Sequence, residues 1–569
     1  MKDNTTTHDS RFTTHYIEKG RGIMTEKINR RTFIKSCAAL SVFCVGAEHI
    51  VAGDNSLDII IKGGRIVDGS GQVSFISDLG IKKNIISAIG DLSLYSAEKI
   101  IDVTGMIVSP GFIDIHTHYD GTARPDLPDI QTKYPDGIYQ ERLNKILLFQ
   151  GITTIIGGNC GYSPLDLEKH FKIMQRKGLA LNYGLLIGHS SLRKKIAGTS
   201  NRITLLTRDE KDELERVLVR SFNLGALGVS TELENSSASL AGTDELIYIG
   251  KITSRHRGMV AIHRRSETED VARWTQEAVD ICKKAEVPVQ ISHLRVVGKP
   301  YWISNEPAIK VVSGAVGKKL PLRCDFYPYD SAQGTLEYIF PAFAKKGGSL
   351  KENLIKDSTL KARVRMHLPE QFSLIAPENI IIFSKAFPDI FGKTLEEAGK
   401  IMGKTPAETA IEILLKDEKG NGGPVIYRYA MSQGNYERLI KCNFAVISSD
   451  GGIDYDEPEM THLDPRIFGT FPRLFGTYVR DKRFISMEEA VKRVTGLPAE
   501  QLGLKDRGLL RDKMVADITI FNPETIADMS NYNSPPQYGT GVEYVIIEGK
   551  IVVEKGIFNG VKAGKILKR

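Results

Sequence analysis

Five short apolar runs in this chain each stop at a residue able to bind a metal, and that recurrence restricts the fold more than any compositional value does. Asp114-Ile115-His116-Thr117-His118 follows an apolar segment that ends at Pro110-Gly111. Residues i and i+2 of a strand share a face, so His116 and His118 are placed to reach one ion. Gly151 to Ile156 opens into Gly157-Gly158-Asn159-Cys160-Gly161, a buried strand leading to a glycine-rich loop that presents a thiol. Met259 to Ile262 runs into His263, Val287 to Ser292 into His293, and Phe444 to Ser449 into Asp450-Gly451-Gly452.

Between these strands, Ile138 to Phe149, Thr207 to Leu224, Glu267 to Ala285 and Pro307 to Val316 carry apolar residues at three- and four-residue spacing with charges between them. Alternating strands and helices predict an α/β fold, a (β/α)8 TIM-type barrel. In that fold the carboxyl ends of eight parallel strands meet on one face, so ligands distant in sequence converge.

At 569 residues the chain exceeds one barrel. Residues 53–108 and 505–569 alternate as short strands with turn signals and are expected to form one small β-sandwich from both chain ends. The barrel occupies 109–330 and 424–504. The interval 331–423 is too long for a bare loop and predicts an inserted subdomain of mixed helix and loop at the barrel mouth.

Residues 1–52 read as an amino-terminal extension. Asn29-Arg30-Arg31-Thr32-Phe33-Ile34-Lys35, followed by the apolar stretch Cys37 to Gly46, resembles a twin-arginine export signal, which predicts a periplasmic or secreted protein. An apolar core of about ten residues is too short to span a bilayer, so no stable membrane anchor is expected. Six cysteines, two of them in the signal, give no disulfide framework once Cys160 is assigned to metal. The net charge of +7 is spread along the chain and comes partly from the amino-terminal segment, which excludes nucleic acid as an expected partner.

Ordered segments carry a family resemblance over roughly residues 57 to 560: PGFIDIHTH at 110–118, GITTIIGGNCGYSP at 151–164, IGHSSLR at 187–193, GALGVST at 225–231, AIHRRSE at 261–267, QISHLR at 290–295, CDFYPYD at 324–330, SSDGG at 448–452 and DPRIFGTFPR at 464–473. The chain resembles the amidohydrolase superfamily, in its N-acyl-D-amino-acid deacylase (D-aminoacylase) family, where a cysteine takes the place of the carboxylated lysine of most members. The resemblance implies a tightly held zinc on Cys160, His263 and His293, and a second, weaker position on His116, His118 and Asp450 that shares the Cys160 thiolate. It implies hydrolysis of the amide bond of N-acyl-D-amino acids, a metal-activated water attacking with Asp450 as general base and acid. Arg295, Tyr327 or Tyr329, and Arg466 match the positions that grip the substrate α-carboxylate.

Several positions depart from the family pattern. Arg295 stands for the usual lysine, Asp464 for a histidine, and Arg264 for a common methionine, while Glu232 to Ser237 rebuilds a loop that usually contains Pro-Gly. Positive charge from Arg264 and Arg265 suggests a preference for acidic D-amino acids. The alternatives are a cyclic-amide hydrolase or an unusual dipeptidase of the same superfamily, against which Cys160 speaks, and a non-catalytic metal-binding barrel, against which the retained Asp450 speaks.

Overall fold

The computed structural model describes residues 56–119, 138–198, 206–234, 236–345, 349–452 and 464–569; the amino-terminal extension and the twin-arginine-like segment lie outside the described residues. Eight strands form one sheet in sequential spatial order: β1 (Phe112–Asp114), β2 (Ile152–Gly157), β3 (Asn182–Gly188), β4 (Gly228–Glu232), β5 (Met259–His263), β6 (Val289–Ile291), β7 (Leu322–Phe326) and β8 (Ala445–Ile447). Every neighbouring pair is parallel. The strands are covered on both faces, which is why β2 and β3 are buried along their whole length and read as continuous rather than alternating apolar runs.

Closure between β1 and β8 occurs just beyond their carboxyl ends. Thr117–His118 pairs in parallel with Gly451–Gly452. The Asp450 N–H donates to the His116 carbonyl at 3.0 Å, and the Asp114 carboxylate accepts from the Ser449 N–H at 3.0 Å and its hydroxyl at 2.5 Å. A separate apolar cluster joins Ile113, Ile156, Leu186, Leu227, Met259 and Val446 to Leu497 and Leu502 of the helix Gly496–Leu502.

The expected helices appear at Ile138–Leu148, Arg208–Leu224, Val271–Ala285 and Asn305–Gly317. Thr207 is the N-cap of the second, in a capping box with Glu210. The third begins four residues later than the periodicity predicts, because Glu267 is drawn out of the helix toward His293 and Arg295.

Strands from residues 56–110 and 518–558 form a single nine-stranded mixed sheet, joined where Ile107–Pro110 runs antiparallel to Ile518–Phe521. Its core unites Ile61, Leu79 and Ile101 with Ile518, Ile520 and Ile546. Phe112 of β1 stacks on Phe471 and Phe475 and meets Phe521 edge-on, tying the barrel to this sheet.

The region between β7 and β8 has its own core and holds a three-stranded antiparallel sheet beside its helices. That sheet was not expected: Ile380–Ile382 is too short to show an alternating pattern, and its partner Pro424–Tyr427 begins beyond the expected boundary at 423. Among the described residues no helix is long and apolar enough to cross a membrane.

Candidate metal centre

All six residues expected to bind metal lie at the carboxyl ends of barrel strands. His263 is the last residue of β5, and His116, Cys160, His293 and Asp450 follow β1, β2, β6 and β8 by two or three positions. Cys160 (φ 47°), His293 (φ 31°) and Asp450 (φ 46°) all adopt left-handed backbone conformations. Each costs a non-glycine residue about 1–3 kcal/mol, a strain that clusters at functional sites. Gly158 (φ +71°) makes the Cys160 turn feasible, since a Cβ there would sit 2.0 Å from the Leu186 carbonyl oxygen.

Cys160 Sγ lies 3.3 Å from His116 Nε2, 3.7 Å from His263 Nδ1 and 3.8 Å from His293 Nε2. Asp450 Oδ1 lies 3.4 Å from His116 Nε2 and 3.2 Å from His118 Nε2. Two ligands on a tetrahedral zinc, with Zn–S about 2.3 Å and Zn–N about 2.0–2.1 Å, are separated by roughly 3.5 Å, so these spacings suit ligand edges. Donor chemistry agrees with the spacing: a thiolate with imidazoles suits zinc. The groups His116/Cys160/His293 and His116/His118/Asp450 could each hold an ion; in the first, His116 stands where the expected trio has His263, whose Nδ1 is 3.7 Å from Cys160 Sγ. A third grouping, His263/Glu267/His293, could not, because Glu267 Oε1 lies 2.5 Å from His293 Nδ1, closer than two ligands of one ion stand.

The outward nitrogen of each of three imidazoles faces a carboxylate. Asp325 Oδ1 is 3.1 Å from His116 Nδ1, Glu267 meets His293 Nδ1, and Glu234 Oε2 is 3.3 Å from His263 Nε2. A carboxylate only accepts, so with metal bound it would hold a neutral imidazole's proton on the outward nitrogen and leave the lone pair of the other for the ion. Asp325 also accepts from the His293 N–H, Gln290 and Ser448, which fixes it as a hub between β6, β7 and β8. None of these three carboxylates was singled out from sequence; Asp325 and Glu267 lie inside the CDFYPYD and AIHRRSE segments, and Glu234 lies in the rebuilt loop.

Charge is balanced within the site. Burial opposes ionisation of Cys160, yet the His116 charge and hydrogen bonds from His116, His118 and His263 hold its thiol well below the usual range. Burial likewise opposes the charge on His118, but hydrogen bonds with Asp450 and Cys160 raise its pKa to about 9. Asp450 is held well below the usual carboxylate range: burial opposes this, and Arg466 and His116 outweigh it.

Asp450 Oδ2 accepts from Arg466 at 3.0 Å and lies 3.4 Å from an Arg295 nitrogen. The Arg295 guanidinium also bonds Glu267 at 2.9 Å and contacts the Tyr327 hydroxyl, while Arg466 stacks 4.2 Å above the Tyr327 ring. Arg466 Nε is buried with no partner among the described residues. Glu267, Arg295, Asp450 and Arg466 open onto a cavity of about 1960 Å³ that Cys160, His263 and His293 also line, while Tyr327 is not on its wall.

Two sequence expectations are corrected here. Tyr329 does not join the substrate group, because its hydroxyl donates to Asp528 at 2.7 Å and its ring packs under Arg473. Arg264 and Arg265 do not charge the cavity. Arg264 is buried, donating to the Arg295 carbonyl at 2.7 Å, and Arg265 is paired with Glu277 at 2.8 Å.

Comparison with known proteins gives concordant results. The model of the Amidohydrolase family matches residues 458–553. A D-aminoacylase of Alcaligenes xylosoxydans xylosoxydans is 29% identical over 90% of this chain and 98% of its own length. The solved structure of N-acyl-D-glutamate deacylase from Bordetella bronchiseptica, complexed with zinc and a phosphonate mimic of the tetrahedral intermediate, superposes with a TM-score of 0.72 at 25% identity, covering 90% of this chain and 100% of that one. A D-aminoacylase structure described by its binuclear metal centre, with one-metal activation and second-metal attenuation, gives a TM-score of 0.73 at 27% identity over the same shares.

Proposed function

We propose, for a chain that belongs to the D-aminoacylase family of the amidohydrolase superfamily, that it is a zinc-dependent N-acyl-D-amino-acid deacylase, releasing a carboxylate and a free D-amino acid. The observation that carries this reading is the two-sided placement of Asp450, one oxygen toward His116 and His118 and the other held by Arg466 and Arg295. Cys160, His263 and His293 would hold the principal ion, with His116, His118 and Asp450 offering a second position. When bound, zinc supplies a Lewis acid that polarises the acyl carbonyl and acidifies water.

The remaining chemistry falls to side chains of the chain itself. Asp450 Oδ1 takes the proton of the attacking water and returns it to the leaving amine nitrogen, the two transfers that amide hydrolysis requires. Its other oxygen stays tied to the arginines, which keeps the carboxylate ionised and correctly turned. Arg466, whose Nε has no partner among the described residues, and Arg295 hold the substrate α-carboxylate beside Tyr327. Asp450 and Arg466 are themselves buried, which strengthens the contact between them.

The test is amine release from N-acyl derivatives of D- and L-amino acids by purified protein of measured metal content. Zinc near one or two per chain with D-selective release is expected; zinc-loaded protein inactive on every D substrate sinks the proposal. Export through the Arg30-Arg31 segment belongs to the same reading and is tested by fractionating cells that carry Arg30→Lys, Arg31→Lys. Unchanged periplasmic delivery of that variant would refute it.

A further inference from the structure

We infer that Glu234 is a positioning residue that fixes His263 in its metal-binding tautomer and thereby sets the affinity of the centre for zinc, an inference that rests on the metal reading above. The argument begins with the turn that follows β4. Glu232 Oε1 accepts the Glu234 N–H at 2.8 Å, and the Leu233 N–H donates to the His263 carbonyl at 3.1 Å, so the chain turns over the end of β5. This places Glu234 Oε2 at 3.3 Å from His263 Nε2, while Oε1 accepts the Glu267 N–H at 3.2 Å. Glu232 Oε1 lies 3.8 Å from the same imidazole nitrogen, too far for a hydrogen bond but adding negative charge.

With metal bound, a neutral His263 would therefore keep its one proton on Nε2, leaving the lone pair of Nδ1, which lies 3.7 Å from Cys160 Sγ, for the ion. Asp325 and Glu267 serve His116 and His293 in the same way from β7 and from the loop after β5. Glu234 differs in coming from the rebuilt loop after β4, so the third imidazole owes its orientation to a segment that departs from the family pattern. Carboxylates in this relation to a ligating histidine are worth about 10–100-fold in metal affinity.

Glu234→Gln separates charge and tautomer from shape. Its amide oxygen still accepts from the Glu267 N–H, but its NH2 then faces His263 Nε2 and drives the imidazole proton onto Nδ1, the atom required for binding. Zinc affinity of the full chain is measured by competition against a chromophoric chelator, with Glu234→Asp as the variant that keeps an acceptor-only group, and with the absorption spectrum of the cobalt-loaded forms.

We expect Glu234→Gln to bind zinc about 10–100-fold more weakly than the parent, Glu234→Asp to recover part of the loss, and the thiolate–cobalt band to persist in both. Parental affinity in Glu234→Gln overturns the inference. Equal losses in both variants with a vanished cobalt band overturn it too, because they show collapse of the loop rather than control of the tautomer. A parent chain that binds no zinc fails the metal reading itself, a result distinct from either of these.

Discussion

Asp450→Asn probes the atom group on which the proposed chemistry depends. The substitution keeps the shape of a buried side chain whose Oδ1 lies 3.2 Å from His118 Nε2 and whose Oδ2 accepts from Arg466 at 3.0 Å. It removes the basic oxygen and the negative charge together. Loss of a positioned proton carrier lowers kcat by about 10²–10⁴, equivalent to about 3–5 kcal/mol of transition-state stabilisation. Arg466 then keeps at most a neutral acceptor, which should lower folding stability by about 2 kcal/mol, the scale of one hydrogen bond to a charged group. The assay measures amine release from an N-acyl-D-amino acid, bound zinc and the denaturant midpoint on one preparation. The expected result is a loss of two to four decades in kcat with the principal zinc retained. A variant with zinc bound and a rate within tenfold of the parent refutes the proton-carrier role; activity falling only in proportion to lost zinc would make Asp450 a ligand and nothing more.

Other expectations are simpler. Arg466→Lys should raise KM for carboxylate-bearing substrates by about 10–100-fold, as a point charge replaces a planar fork, while an N-acyl amine lacking the carboxylate is turned over no worse; equal effects on both would remove Arg466 from carboxylate binding. Phe112→Ala, at a fully buried ring stacked between barrel and mixed sheet, should cost about 3–5 kcal/mol in chemical denaturation, and a loss under 1 kcal/mol would contradict the packing. Removing zinc with a chelator should lower stability by about 4 kcal/mol relative to protein held at a thousandfold excess over Kd, recovered when zinc is restored; an unchanged midpoint would mean that the ion does not stabilise the fold.

The convergence of the candidate site was legible in the sequence because a parallel barrel converts a linear rule, a ligand-type residue just after an apolar strand, into a shared location. His116, Cys160, His263, His293 and Asp450 all obey that rule. Their hydrogen-bonding carboxylates do not. Glu267 lies where the helical period continues backward from Val271, and Glu234 lies in a loop with no periodicity at all. The left-handed backbone of Cys160, His293 and Asp450 left no sign either, since glycine is the usual marker of such positions and none of the three is glycine. Tyr327 and Tyr329 sit two apart with near-identical context, and only the position of Asp528, far along the chain, separates their roles. Arg264 and Arg265 show the limit of counting charge beside a site, because carboxylate and carbonyl partners from other elements take up both guanidinium groups.

The join between β1 and β8 bears on how such a protein comes to be made. Asp114 and Ser449 are 335 residues apart, so sealing the barrel is among the longest-range events in folding, and closing a loop of that size costs about 5 kcal/mol of chain entropy. Cys160, His263 and His293 stand on β2, β5 and β6, all on one side of that join, and can assemble in an open sheet. His118 and Asp450 stand on opposite sides of it. On the reading proposed above, a newly synthesised chain would be able to hold an ion before its site is complete, because Asp450 joins the other residues only when the last barrel strand, β8, is in place.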